Sequence, residues 1–217
     1  PNGAGKTTTF NLITGLESPT RGKITFKGEG IIELRPHEIV EKGIARTFQI
    51  TRVFRKMTIL ENVAVARHLA IRPTLWDTLF SSSERKRERD GLKKAEEMLR
   101  FVNLFHKREE LATNLSLGEQ KRLELAIALS MDPELLLLDE PVAGMNPKET
   151  EEIIDLIGII REKGITVFLI EHDMKMVMGI SERIVVLNYG KKIAEGTPEE
   201  VSQNPAVVEA YLGRRHP

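Results

Sequence analysis

Apolar residues in this chain fall into short uninterrupted runs and longer helical stripes. The plainest run is Leu135, Leu136, Leu137 and Leu138, which stops at Asp139, Glu140 and Pro141. It predicts a strand buried on both faces of a parallel sheet. Residues 165–170 predict a second buried strand, ending at Glu171-His172-Asp173. Residues 46–49 form a short strand ending in the amide Gln49. Residues 23–27 alternate, with Ile24 and Phe26 on one face, and predict an antiparallel strand followed by a turn at Gly28 and Gly30. Residues 184–187 and 191–194 flank Asn188-Tyr189-Gly190, a hairpin signal.

The helical stripes are as legible. Leu92, Ala95, Leu99 and Val102 share one face, Leu123, Ala126 and Ile127 another, and Ile153, Leu156, Ile157 and Ile160 line up within 148–163. Capping boxes at Thr58/Glu61 and Ser116/Glu119, a capped start at Thr197-Pro198-Glu199-Glu200 and an Asn204-Pro205 step mark helix starts. The first helix runs from about Lys6 to Leu16, with Gly15 as its stop. Residues 72–83, with Pro73 and three serines, are the least regular stretch. The charge run 84–90 predicts a solvated helix face. Residues 58–114 therefore read as a mostly helical insertion between the halves of a mixed sheet core.

Ligands of open α/β sheets bind beyond the carboxyl ends of the strands. Two adjacent acids there invite a division of labour: one holds a hard cation, the other orients or deprotonates a water. Alone, Leu-Leu-Asp-Glu reads as an ordinary strand end facing water. The opening residues change that. Asn2-Gly3-Ala4-Gly5-Lys6-Thr7-Thr8 follows the phosphate-loop pattern without its first glycine. Gly3 and Gly5 let successive N–H groups point at phosphate oxygens, and the helix opening at Lys6 adds its positive end. The Lys6 ammonium reaches the β- and γ-phosphates, and the Thr7 hydroxyl is a Mg²⁺ ligand. The plain alternative is a Gly-rich turn before a helix. A phosphate loop follows a strand, and the N-terminal strand is absent from this chain. Residues 1–217 are thus read as a fragment, expected to fold poorly or bind nucleotide weakly by itself. A cooperative melt with micromolar ATP affinity would refute that expectation.

Composition narrows the class. A length of 217 residues suits one large domain, or one with a small inserted lobe, and 41% apolar content supports a core. Basic and acidic residues number 32 each, which argues against a nucleic-acid partner. There is no cysteine, hence no disulfide or thiol chemistry. No apolar run approaches the ~20 residues of a membrane span, so a soluble intracellular protein is expected.

In order, the chain carries a phosphate loop, Gln49 after a strand, Leu-Ser-x-Gly-Glu at 115–119, an apolar strand with Asp139-Glu140, and His172 after another strand. This set resembles the nucleotide-binding subunit of an ABC transporter, and the resemblance covers the whole chain. Residues 141–150, 170–174, 196–198 and 210–213 are similar to the ATP-binding subunits of branched-chain (hydrophobic) amino-acid importers.

The resemblance implies an α/β P-loop NTPase fold of the ABC ATPase kind, with a mixed sheet core and a helical subdomain. Residues 1–57 and 132–217 would form a RecA-like core with an antiparallel β lobe, and 58–131 the helical signature subdomain. It implies that Asn2, Gly3, Ala4, Gly5, Lys6, Thr7 and Thr8 cradle ATP, and that Thr7, Gln49 and Asp139 serve Mg²⁺. Glu140 is implied as the catalytic glutamate, Gln49 as a contact to the attacking water, and His172 as the histidine at the γ-phosphate. The segment after Gln49 (50–57) would link to the membrane partner. Ser116, Gly118 and Glu119 would cap ATP held by a second ATP-binding subunit, identical or paralogous. Transmembrane permease subunits and, indirectly, a solute-binding protein complete the implied partners, with the chain peripheral on the cytoplasmic face of the inner membrane. Leu117, Glu119 and Asn146 depart from the common glycine, glutamine and aspartate. Other cargoes (urea or amide import, lipid export) and a non-transport ABC ATPase acting in DNA repair or translation are the competing readings. The absence of a basic excess, a second cassette and a coiled-coil insert disfavours the last.

Overall fold

The computed structural model describes residues 3–47, 53–70 and 81–212. In chain order its elements are α1 (Lys6–Ile13), β1 (Thr25–Phe26), β2 (Glu29–Gly30), α2 (Pro36–Glu41), β3 (Ile44–Arg46), α3 (Ile59–Ala70), α4 (Ser81–Phe101), α5 (Leu117–Leu129), β4 (Leu135–Asp139), α6 (Pro147–Glu162), β5 (Thr166–Ile170), α7 (Met174–Ile180), β6 (Ile184–Asn188), β7 (Lys191–Gly196), α8 (Pro198–Ser202) and α9 (Pro205–Leu212). They fall into two compact units, Pro1–Glu33 with Ile170–Pro217, and Leu34–Leu169.

The first unit holds both antiparallel hairpins. β1 pairs with β2, Thr25 opposite Gly30 and Phe26 opposite Glu29. The turn is Lys27-Gly28, with φ of 51° and 82°, so Gly30 belongs to the returning strand rather than to the expected turn. Two positive φ values in a two-residue loop match the right-handed twist of the strands. The β6–β7 hairpin repeats the device at Tyr189-Gly190, with φ of 46° and 73°. Ile184, Val186, Val201 and Val207 form the buried cluster beneath it. Helix α1 ends at Ile13, before the expected Leu16, because Gly15 turns left-handed (φ 69°) and the Leu16 N–H donates back to the Asn11 carbonyl at 2.9 Å.

The second unit is built on a three-stranded sheet of order β3-β4-β5. β3 and β4 run parallel, with Ile44 opposite Leu135 and Arg46 opposite Leu137. β4 is central, which is why Leu136, Leu137 and Leu138 are fully buried. β5 is not buried as its apolar run predicts: Phe168 is 38% exposed. It is an outer strand among the described residues, and apolar runs do not distinguish centre from edge. Asn62, buried at the start of α3, fastens the segment before that helix. Its amide donates to the Phe54 and Thr58 carbonyls at 3.1 and 2.8 Å, and its oxygen accepts the Phe54 N–H at 2.7 Å. On α4, Ala95, Leu99 and Val102 are buried but Leu92 is 40% exposed. Glu88, Arg89 and Asp90 are exposed, as a solvated face requires. Among the described residues, no helix is long and apolar enough to cross a membrane.

Candidate functional site

In the first unit, Gly3 and Gly5 have φ of 72° and 96°, the left-handed region that favours glycine. Gly5 is the N-cap of α1 and offers no side-chain acceptor, and the first turn holds no acidic residue. The opening N–H groups of α1, from Lys6, Thr7 and Thr8, have no carbonyl within the helix to bond. The loop is held from behind by the β6–β7 turn, where the Gly190 N–H donates to the Ala4 carbonyl at 3.0 Å. Built this way, the segment is a preformed cradle for an anion.

His172 lies just before α7, whose N-cap is Asp173; the Asp173 carboxylate accepts the Met176 N–H at 3.0 Å. The imidazole is mostly exposed, whereas the Glu171 side chain is buried. Glu171 Oε2 accepts the His172 backbone N–H at 3.1 Å and lies 3.8 Å from His172 Nδ1.

In the second unit, β4 delivers Asp139 to its carboxyl end, 1% exposed. Asp139 Oδ2 accepts from the Arg46 guanidinium at 2.8 Å, and both side chains are buried. Oδ1 is buried with no hydrogen-bond partner among the described residues. A buried carboxylate oxygen without a donor is costly. A hard cation or its water shell supplies what is missing, so Asp139 fits the implied Mg²⁺. Among the described residues no three His, Asp or Glu side chains converge on a metal site. Glu140 follows with φ 48°, rare outside glycine, and the chain turns there as the Ala143 N–H donates to the Glu140 carbonyl at 3.2 Å.

The signature segment opens α5 in the same unit. Ser116 is the N-cap: its Oγ accepts the Glu119 N–H at 3.3 Å, and Glu119 Oε2 accepts the Ser116 N–H at 3.0 Å. Glu119 Oε1 meets Lys107 Nζ at 2.6 Å. Burial acts to raise the Glu119 carboxyl, but Lys107 and the Ser116 N–H outweigh it and hold it below its ordinary range. Asn146 caps α6 through an equivalent box with Glu149. These two helix starts touch. A Cβ on Gly118 would lie 2.7 Å from Glu149 Oε1, and one on Gly144 (φ 78°) would lie 2.9 Å from Leu117 Cδ2. Two of the three departures thereby gain a physical role: Asn146 caps as aspartate does, and Leu117 occupies space that Gly144 leaves open.

Among the sequence-derived candidates, the structure therefore places Gly3 to Thr8 at one helix start and His172 before another in the first unit. In the second it places Asp139 and Glu140 at one strand end, and Ser116, Gly118 and Glu119 at one helix start. Asn2 and Gln49 lie outside the described residues. Sequence reasoning passed over Arg46, Glu149 and Glu171. The available signal for Arg46 was a cation inside a short strand, three residues before Gln49.

Residues 1–143 match the family model described as ABC transporter, and residues 191–217 match that of the branched-chain amino acid ATP-binding cassette transporter. The chain is 46% identical over 215 residues to the high-affinity branched-chain amino acid transport ATP-binding protein LivG of Escherichia coli (strain K12), covering 98% of this chain and 84% of LivG. The crystal structure of the ADP conformation of MJ1267, an ATP-binding cassette of an ABC transporter, superposes with a TM-score of 0.84 at 33% identity, over 99% of this chain and 85% of that one. The dimeric post-hydrolysis structure of the ATP-binding cassette MJ0796, bound to ADP and Pi, matches with a TM-score of 0.76 at 27% identity, over 91% and 82% of the two chains. The chain belongs to the ABC transporter ATP-binding proteins, an ATPase family, and within it to the branched-chain amino-acid cassettes.

Proposed function

We propose that this protein hydrolyses ATP to energise import of branched-chain or other hydrophobic amino acids through separate membrane subunits. The observation that carries the chemistry is the end of β4, where buried Asp139 keeps an oxygen without a donor and Glu140 follows on a strained backbone. Lys6 and the open N–H groups of α1 bind the phosphates. Asp139, the Thr7 hydroxyl and Gln49 are the groups that would hold Mg²⁺. When bound, the cation neutralises charge on the β- and γ-phosphates. Glu140 orients the attacking water and accepts its proton. His172 donates from Nε2 to a γ-phosphate oxygen.

Ser116 keeps its hydroxyl proton to donate, because its oxygen is the acceptor in the capping box. In this reading it donates to the γ-phosphate of ATP seated in a second, identical or paralogous subunit, so that two chains close over two nucleotides. ATP favours the closed pair, and hydrolysis removes that preference. The pair works on permease subunits at the cytoplasmic face of the inner membrane, which a solute-binding protein supplies. The kinship with LivG supports the cargo.

Glu140→Gln tests the reading on the full chain. Steady-state hydrolysis is expected to fall by about 10²–10⁴, the usual worth of a general base. ATP-dependent dimerisation, followed by size-exclusion chromatography, is expected to persist. Unchanged hydrolysis defeats the assignment. The cargo is tested by which membrane and binding-protein subunits co-purify with the wild-type chain.

A further inference from the structure

The Arg46–Asp139 pair joins the last residue of β3 to the last residue of β4. Register explains the meeting. Arg46 stands opposite Leu137, and Asp139 is two residues further along the same face of β4. The Thr47 N–H extends the ladder by donating to the Leu137 carbonyl at 2.9 Å, so both strand ends are fixed where the side chains begin. The two side chains are 5% and 2% exposed. A carboxylate placed there has one oxygen occupied by the guanidinium and the other without a donor. Those two facts divide the labour within a single side chain.

We propose that Arg46 is a positioning residue for the cation site: it anchors Asp139 through Oδ2 so that Oδ1 alone is presented to Mg²⁺. The inference rests on the reading of Asp139 given above. A guanidinium suits the task because its charge is permanent and one rigidly held N–H group meets Oδ2 and leaves Oδ1 open. Lysine at the same place would keep the charge on a flexible stem and lose that fixed donor direction.

The test is Mn²⁺ affinity, read by electron paramagnetic resonance on the full chain with ADP bound. ADP affinity in EDTA and the melting temperature without ligands are measured beside it. Arg46→Lys and Arg46→Gln are expected to weaken Mn²⁺ about tenfold or more, the usual effect of losing a group that orients a metal ligand. ADP affinity in EDTA is expected to stay at the parental value, because phosphate binding is assigned to the first unit. Arg46→Gln, which keeps one neutral donor, decides the matter if Arg46→Lys does not fold. Asp139→Asn serves as the reference and is expected to lose Mn²⁺ at least as severely. If Asp139→Asn loses Mn²⁺ while folded Arg46 variants bind it like the parent, Arg46 only holds the strands together and the inference is wrong. If Asp139→Asn itself retains parental Mn²⁺ affinity, the assignment of Asp139 to the cation fails, and this inference with it.

Discussion

Helices α1 and α5 begin in opposite ways. α1 starts behind Gly5, with no side-chain cap and no acidic residue in its first turn. α5 starts with a complete capping box, in which Ser116 and Glu119 satisfy each other's N–H groups. N–H groups at a helix start beside a lysine are what a phosphate needs, and the left-handed Gly3 and Gly5 shape the backbone that leads into them. The α5 start has the Ser116 and Glu119 N–H groups satisfied inside the chain and keeps the Ser116 hydroxyl proton for an external acceptor. One terminus is therefore built to hold an anion by itself, and the other to complete a site supplied from elsewhere.

The largest break in this contrast comes from Lys6→Ala. Removing a charge-assisted contact worth about 1.5–3 kcal/mol should weaken ATP binding about 10- to 100-fold, measured by isothermal titration. Undiminished affinity would show that α1 is merely a helix start.

A smaller effect is expected at the other terminus. Glu119→Ala removes half of the capping box and the half-buried partner of Lys107, together about 1–2 kcal/mol. The melting temperature should fall by about 2–8 °C, the response of a chain of roughly this size, while ATP affinity of a single subunit stays unchanged. A change in ATP affinity without a change in melting would invert the two roles.

The smallest effect is in pH. The Glu119 carboxyl titrates below its ordinary 4.5 in the folded chain, because Lys107 and the Ser116 N–H outweigh burial. Its stabilisation is therefore fully present above 4.5 and is lost as pH falls through the lower folded value. Asp132, held down by Lys94 and Arg67 against burial, contributes in the same direction. The stability gap between the parent and Glu119→Gln should narrow below pH 4.5 in thermal melts. A gap that widens on acidification would contradict the sign.

Much of this arrangement was legible in the sequence because caps and loops are local. The Thr58, Ser116 and Thr197 boxes all form. Ile153, Leu156, Ile157 and Ile160 are all buried, as their spacing requires. What was not legible depended on partners distant along the chain. The fit of Gly118 against Glu149 joins two helix starts that no local pattern connects. The Arg46–Asp139 pair spans 93 positions and follows only from strand register. The exposure of Phe168 depends on which strands neighbour β5, and the Asn146 cap was hidden behind Pro147, where the helix begins one residue ahead of its expected start at Lys148.

The contrast between the two termini is tested most directly by backbone amide shifts in ¹H–¹⁵N spectra of dilute, single subunits titrated with ADP and Mg²⁺. The amides of Gly3, Gly5, Lys6, Thr7 and Thr8 should move, and those of Ser116, Gly118 and Glu119 should stay in place. Movement at Ser116 to Glu119 with Gly3 to Thr8 unmoved would contradict the account.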